Sequence, residues 1–298
     1  MSEIAPHPGE AIALICAVTW AAAVILFKKS GEAVHPIGLN LFKDVLAVVL
    51  FLPTIWLLGG HLWREAPLSE YGLLLFSGAL GIGLADTLYF MSLNAVGAGL
   101  MSIIGCLYSP FIITLSLLWL DESLSWWQLV GASAIVSAVL IATRKNRGNF
   151  LDRKILIKGL TLGVLAQAAN ACGIVMIKPL LDRSPLLWVT EVRLLGGVAV
   201  LLVVLAVHRS RWEILRSIRS RQRWVYTLTG SFVGGYLAMV TWLAGMKYTL
   251  ASVASALNQT ASIFMFIFAV FFLKEPVTKY RVIGIALAIA GVMLVTMA

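Results

Sequence analysis

Apolar residues run in blocks of about twenty along almost the whole chain, separated by short polar breaks. Roughly twenty apolar residues in a helix cross the hydrocarbon of a bilayer. By that measure the pattern predicts ten spans, at 9–27, 37–58, 70–92, 98–120, 126–143, 156–177, 185–207, 224–246, 250–273 and 279–297. The blocks lack the period-two alternation of barrel strands, so their backbone hydrogen bonds must close within each segment. Composition points the same way. Of 298 residues, 60% are hydrophobic and 12% charged, against about 25% charged in soluble domains. An all-α membrane protein of ten transmembrane helices is expected.

No Lys or Arg precedes Lys28, so the first block is expected to stay as a helix rather than leave as a signal peptide. The formal charge of +9 is carried mainly between the blocks. It reads as a topology signal and as contact with anionic lipid, not as a nucleic-acid footprint. The connections after the first, third, fifth, seventh and ninth spans hold 17 Lys and Arg, and the remaining connections hold 4. That bias places the odd connections in the cytoplasm and both termini outside. A multi-pass protein of the cell membrane, a bacterial inner membrane, is the expected setting. The longest basic connection, 208–223, spaces Trp212, Ile214, Leu215 and Ile218 for one helical face. It is either a short helix in the lipid interface or a solvated basic loop.

The chain repeats itself. LDESLSWWQLVG (120–131) aligns with LKEPVTKYRVIG (273–284), which matches Glu122 to Glu275 and Gly131 to Gly284. The same offset of 153 pairs Gly81 with Gly234, Tyr89 with Trp242 and Ala98 with Ala251. An offset of 150 pairs Lys28 with Lys178 and Lys43 with Arg193. Residues 1–148 and 149–298 each hold five predicted spans. Five is odd, so the second set enters from the opposite side, giving two inverted five-helix repeats. Such repeats suit a carrier that exposes a midplane site alternately to each side.

Ten helices, two five-helix repeats and the Glu122…Gly131 and Glu275…Gly284 segments resemble the EamA-type carriers of the drug/metabolite transporter superfamily. Lys274-Glu275-Pro276 is the closer match to the family turn; Asp121-Glu122-Ser123 lacks the proline. The resemblance implies a secondary carrier, often an exporter of amino acids, related metabolites or amphipathic toxic compounds. A multidrug exporter is the alternative within the family.

Lys43, Asp86, Glu191 and Arg193 lie inside predicted spans. Each costs about 2.5–3.5 kcal/mol on insertion scales, so each should face a cavity or a partner. Lys43 and Asp86 stand at similar depths on antiparallel neighbours and can pair, as a structural ion pair or as part of a substrate or proton site. Glu191 and Arg193 are two residues apart, point to different faces and cannot satisfy each other. The repeat partner of Asp86 is Met239, so Arg193 lacks the acid available to Lys43. It either binds an anionic substrate group or snorkels outward. Trp20, Tyr89, Tyr108, Asn170, Trp242, Asn258 and Gln259 could complete a lined cavity, although any one aromatic could equally be ordinary packing. Tyr108 with Pro110 should break the fourth span, and Asn258-Gln259-Thr260 the ninth.

The four histidines lie in predicted termini or loops, the three cysteines in apolar blocks, and no P-loop is present. No enzyme, metal site or cofactor is expected. A membrane-embedded enzyme or a channel is the alternative class. The expected partners are a small-molecule substrate and the bilayer, with Asp86 and Glu191 as proton carriers if protons drive transport. Small residues four apart, Gly159 with Gly163 and Gly230 with Gly234, permit close helix packing in a monomer or homodimer.

Overall fold

The helices start where the chain can cap them. Ser125 accepts the N–H of Trp127 while Gln128 reaches back to the Ser125 N–H, closing a capping box. Asp152 accepts from Lys154 N, and His35 Nδ1 accepts from Ile37 N, just ahead of Pro36. The computed structural model describes residues 8–60, 64–119, 125–143, 152–219, 223–248 and 257–297, and every regular element among them is helical. The helices are α1 (Pro8–Ser30), α2 (Pro36–Leu57), α3 (Leu68–Val96), α4 (Ala98–Trp119), α5 (Trp126–Ala142), α6 (Arg153–Val175), α7 (Leu186–Val207), α8 (Trp224–Tyr248), α9 (Leu257–Leu273) and α10 (Lys279–Met297). Seven helices, α1–α4 and α6–α8, are each long and apolar enough to cross a membrane, and α5 and α9 are shorter apolar helices. Predicted Glu122 and the first part of the predicted span 250–273 lie outside the described residues.

Two helices carry π-helical turns, Ala79–Leu84 in α3 and Ser231–Leu237 in α8. Each contains one of the glycines paired by the sequence repeat, Gly81 and Gly234. A π turn shifts the hydrogen-bond ladder by one residue and frees carbonyls. In α3 these are answered by wholly buried Asn40, whose amide donates to Ile82 O (3.0 Å), Gly83 O (3.1 Å) and Thr87 Oγ1 (3.1 Å). In α8 the Cys16 thiol donates to Ala238 O (3.2 Å).

Packing follows the small residues, and it is reciprocal. α1 lies on α8 and α9, and α6 lies on α3 and α4. A Cβ on Gly173 of α6 would sit 3.1 Å from Gly81 Cα; a Cβ on Gly234 of α8 would sit 2.8 Å from the Cβ of Ala23 in α1. Likewise Gly163 lies against Ser92, and Gly245 against Ala13. α5 and α10 cross antiparallel, with Gly131 against the Gly291 carbonyl and Gly284 against that of Ala138. In each case the second contact joins residues 150 or 153 positions away from those of the first.

The chain connections gather at two ends. At one, Lys28 Nζ donates to Asn94 O (2.9 Å), Asn94 donates to Gly31 O (3.2 Å), and Arg223 pairs with Glu32. There Glu275 accepts the N–H groups that open α4, from Ala98 (2.7 Å) and Gly99 (3.0 Å), with Arg281 Nη1 at 3.6 Å. A carboxylate at a helix N-terminus meets unpaired N–H groups and the positive end of the dipole. Gly97, at φ +83°, admits it, since a Cβ there would lie 2.5 Å from Glu275 Oε1. The opposite end carries Gly59, Gly60, Arg64, Glu65, Pro185–Trp188 and Tyr248.

Replacing Gly131 with Val should lower the thermal unfolding temperature, because its Cβ would stand 2.6 Å from the Gly291 carbonyl. The expected loss is about 1–3 kcal/mol. Gly72→Ala is the control: a Cβ there meets nothing within 4 Å, so unfolding should be unchanged or later. A pH effect is expected at His35, whose imidazole is pushed below its ordinary pKa by burial and then by His208, with ring centroids 6.0 Å apart. The fold favours neutral His35, so its contribution is complete above the ordinary value of about 6.5 and erodes as pH falls below it. Unfolding scans from pH 8 to pH 5 (roughly the histidine range) should show that decline, and His35→Asn, which keeps a capping acceptor, should flatten it.

Candidate functional site

The intramembrane charges meet in a polar layer made by α2, α3 and α7. Lys43 Nζ donates to Asp86 Oδ2 and stands 3.0 Å from Asp44 Oδ1, with the Phe90 ring 5.7 Å below. The sequence pair Lys43–Asp86 therefore forms. Asp44 is wholly buried and is held by proximity to the ammonium rather than by a well-directed hydrogen bond. It was readable from its place beside Lys43 within the same span, yet the sequence reading does not single it out.

Arg193, 150 positions after Lys43, comes from α7. Its Nε donates to Ser77 Oγ (3.1 Å), and the Ser77 hydroxyl donates to Gly173 O (2.5 Å). Ser77 is wholly buried, so this hydroxyl fixes one edge of the guanidinium. Gly78 lets α3 pass the α7 backbone, since a Cβ there would lie 1.9 Å from Arg193 O, and Gly81 faces Nη2. Among the described residues Arg193 makes no ion pair; Tyr108 and then Asp86 interact with it electrostatically. Ser77 carried no signal in the sequence: one hydroxyl in an apolar span is commonplace.

Glu191 is also wholly buried, and neither carboxyl oxygen has a hydrogen-bond partner among the described residues. It does not join Arg193, as its spacing required. Tyr89, one turn from Asp86, points its hydroxyl at Met265 Sδ (3.7 Å). Tyr108 follows the break at Cys106–Leu107 that divides α4. The backbone of Asn170 approaches Gly81 beside Arg193. Gln259 donates to Ser109 Oγ (3.1 Å), and Asn258 Oδ1 is buried without a partner among the described residues. The Gln259 amide ties α9 to α4 beside its break. Trp20 packs on the large core around Phe27 and Phe90, and Trp242 on Phe51, Leu194 and Leu243. The structure thus gathers Lys43, Asp86, Tyr108, Asn170 and Arg193, and puts Trp20 and Trp242 in apolar packing. No group of three or more metal-ligating side chains occurs among the described residues.

A cleft of about 1010 Å³ opens at the end bearing Gly59, Gly60, Arg64 and Glu65. Thr54, Ile55, Arg64, Glu65, Leu186–Trp188, Leu243 and Tyr248 line it. Its floor on α2 is Thr54, which hydrogen-bonds Tyr236 (2.7 Å). Thr54 is eleven residues from Lys43, or about 16 Å along the helix. None of this lining was nominated by the sequence, because loop ends give no depth signal.

Comparison with known proteins gives this geometry a family. A structural relative of known coordinates, titled only as the crystal structure of a protein, superposes with a TM-score of 0.66 at 17% identity, covering 99% of this chain and 98% of its own. That likeness concerns the fold. An uncharacterized transporter of Archaeoglobus fulgidus is 25% identical over 288 residues, covering 95% of this chain and 96% of its own. The uncharacterized transporter YetK of Bacillus subtilis is 28% identical over 153 residues, about half of each chain. The model of the EamA-like transporter family matches twice, at residues 7–144 and 157–297. With apolar helices long enough to span a bilayer and both matches together covering nearly the whole chain, this multi-pass membrane protein belongs to the EamA-like transporter family.

Proposed function

We propose that the chain is a secondary carrier that exports a small carboxylate-bearing metabolite, an amino acid or a relative of one, across the cytoplasmic membrane by alternating access. Ten spans in two inverted repeats, 1–148 and 149–298, provide the frame. The two family matches support this, since they begin 150 residues apart and end 153 apart. So do the reciprocal contacts. A two-fold operation that exchanges antiparallel α5 and α10 has its axis across the helices, hence in the membrane plane, as inverted repeats require.

The observation that carries the substrate reading is Arg193. At one of two equivalent positions the cation, Lys43, is answered by two carboxylates; at the other, Arg193 is answered by a hydroxyl. A guanidinium held by Nε leaves its two Nη groups as a fork for a carboxylate. Tyr108 interacts with it electrostatically, and the Asn170 carbonyl lies by Gly81 next to it. Glu191 is the proposed proton carrier, because a carboxyl in lipid without a cationic partner is suited to loading and releasing a proton. The cleft at the end with few Lys and Arg is the outward vestibule.

The test uses proteoliposomes, radiolabelled amino acids and the matching amino-acid amides, which lack the carboxylate. Arg193→Gln should raise the half-saturating concentration of the carboxylate substrate by about tenfold or more, as expected from losing a charged hydrogen bond. Uptake of any amide should be spared. Counterflow should saturate for the wild type, and Glu191→Gln should make its rate insensitive to a pH gradient. Carboxylate and amide affected alike by Arg193→Gln, or counterflow that never saturates, would remove this reading.

A further inference from the structure

The connection from α7 to α8 contains a helix, Arg211–Ile218, whose two sides differ sharply. One side is docked. Ile214 is buried with Ile37, Leu41, Leu201 and Leu205. Gly38 provides the seat, for a Cβ there would lie 3.0 Å from Ile218 Cγ1 and 3.2 Å from Ile214 Cγ2. Ser217 Oγ accepts the His35 N–H (3.1 Å). Of the four residues the sequence groups on one lipid-facing side, Ile214 and Ile218 thus turn inward and Trp212 turns outward. The branched side chains fill the notch at Gly38, where the large indole cannot.

The other side is free and cationic. Trp212 is 65% exposed, and Arg209, Arg211, Arg216 and Arg219 are exposed around it. Trp212, Arg216 and Arg219 follow at four- and three-residue spacing and form one stripe. Arg211 lies over the Trp212 ring at 5.8 Å and also donates to Ala206 O (3.1 Å). Among the described residues no carboxylate stands within ion-pair distance of these four arginines, and Glu213 is the helix's single acid. The helix packs against the first turn of α2 and the last of α7, so it lies at the depth of helix ends, where headgroups are. Indole and guanidinium groups together at that depth match a phosphate with acyl chains beside it.

We propose that the outer face of Arg211–Ile218 binds anionic phospholipid headgroups, and that this bound lipid braces α2 against α7. The helix spans both in one apolar cluster, and these are the helices that carry Lys43 and Arg193. The proposal is independent of which solute is carried.

The test places the full chain in nanodiscs of phosphatidylcholine, alone or mixed equally with phosphatidylglycerol. Brominated lipid quenches nearby indoles, and subtracting the signal of Trp212→Phe isolates Trp212. Brominated phosphatidylglycerol should quench that component at least about twofold more than brominated phosphatidylcholine, with the preference shrinking at high salt. The triple variant Arg211→Gln, Arg216→Gln, Arg219→Gln should lose the preference. It should also lose the rise in unfolding temperature that phosphatidylglycerol gives the wild type, while unfolding as the wild type does in pure phosphatidylcholine. Equal quenching by the two lipids, or a preference kept by the triple variant, would overturn the proposal. So would inorganic phosphate abolishing the preference where chloride of equal ionic strength does not, since the site would then be one for free phosphate.

Discussion

In hydrocarbon every charge and every backbone polar group must be answered by protein, because no water is there to answer it. That constraint organises the interior of this transporter. The freed carbonyls of the α3 π turn are met by Asn40, the ammonium of Lys43 by Asp44 and Asp86, and the opening N–H groups of α4 by Glu275. A buried ion pair stabilises little in net terms, but breaking one by removing a partner costs about 3–5 kcal/mol. The Lys43 cluster is therefore a fixed element that resists rearrangement. Arg193 is hydrogen-bonded to a hydroxyl and, among the described residues, has no carboxylate within ion-pair distance.

Small residues and π turns serve that arrangement together. Ser77, Gly78 and Gly81 share one side of α3, which they turn to α7 and α6. The π turn rotates the helix face within six residues, and the glycines then let two backbones meet. Gly78 and Gly173 are positions where a side chain would strike backbone rather than a movable side chain. The polar layer is thus built by backbone proximity, with Ser77 and Asn40 as its few side-chain fasteners. The second π turn in α8 lies beside Lys43, where Gly235 approaches the Lys43 carbonyl at 3.2 Å from its would-be Cβ. Equivalent deformations beside both cations argue that the turns belong to the ion-holding apparatus.

Hydropathy made the helices legible because a spanning segment must be both long and apolar, two properties visible in any window. The Lys43–Asp86 pair was legible from depth alone. Other features were not. A π turn depends on which carbonyls a distant Asn40 can reach, and that is a tertiary fact. The orientation of Arg211–Ile218 turned on the notch at Gly38, on a helix more than 170 positions away. Trp20 and Trp242, on α1 and α8, pack on apolar clusters, since an indole body is as easily buried as displayed. Asp44 was plain in the sequence and shows that adjacency to a known charge is a signal worth reading.

The two ends of the bundle are unlike, and the difference follows from where polar groups are spent. At the end bearing Gly31 and Gly97, side chains are used on the backbone of other helices: Lys28 on Asn94 O, Glu275 on Ala98 and Gly99. These contacts need two glycines and a positive φ to form, so the chain there is shaped for closure. At the end bearing Gly59, Arg64 lies over the Trp188 ring and Arg183 pairs with Glu70 near the surface, which leaves the space between α2, α7 and α8 open. At the first end the Glu275 contact is largely buried, whereas Arg183–Glu70 at the other is a surface pair of small worth. Removing Glu275 from the start of α4 would leave the Ala98 and Gly99 N–H groups unanswered, so that contact fixes the first part of α4, ahead of the break at Cys106–Leu107.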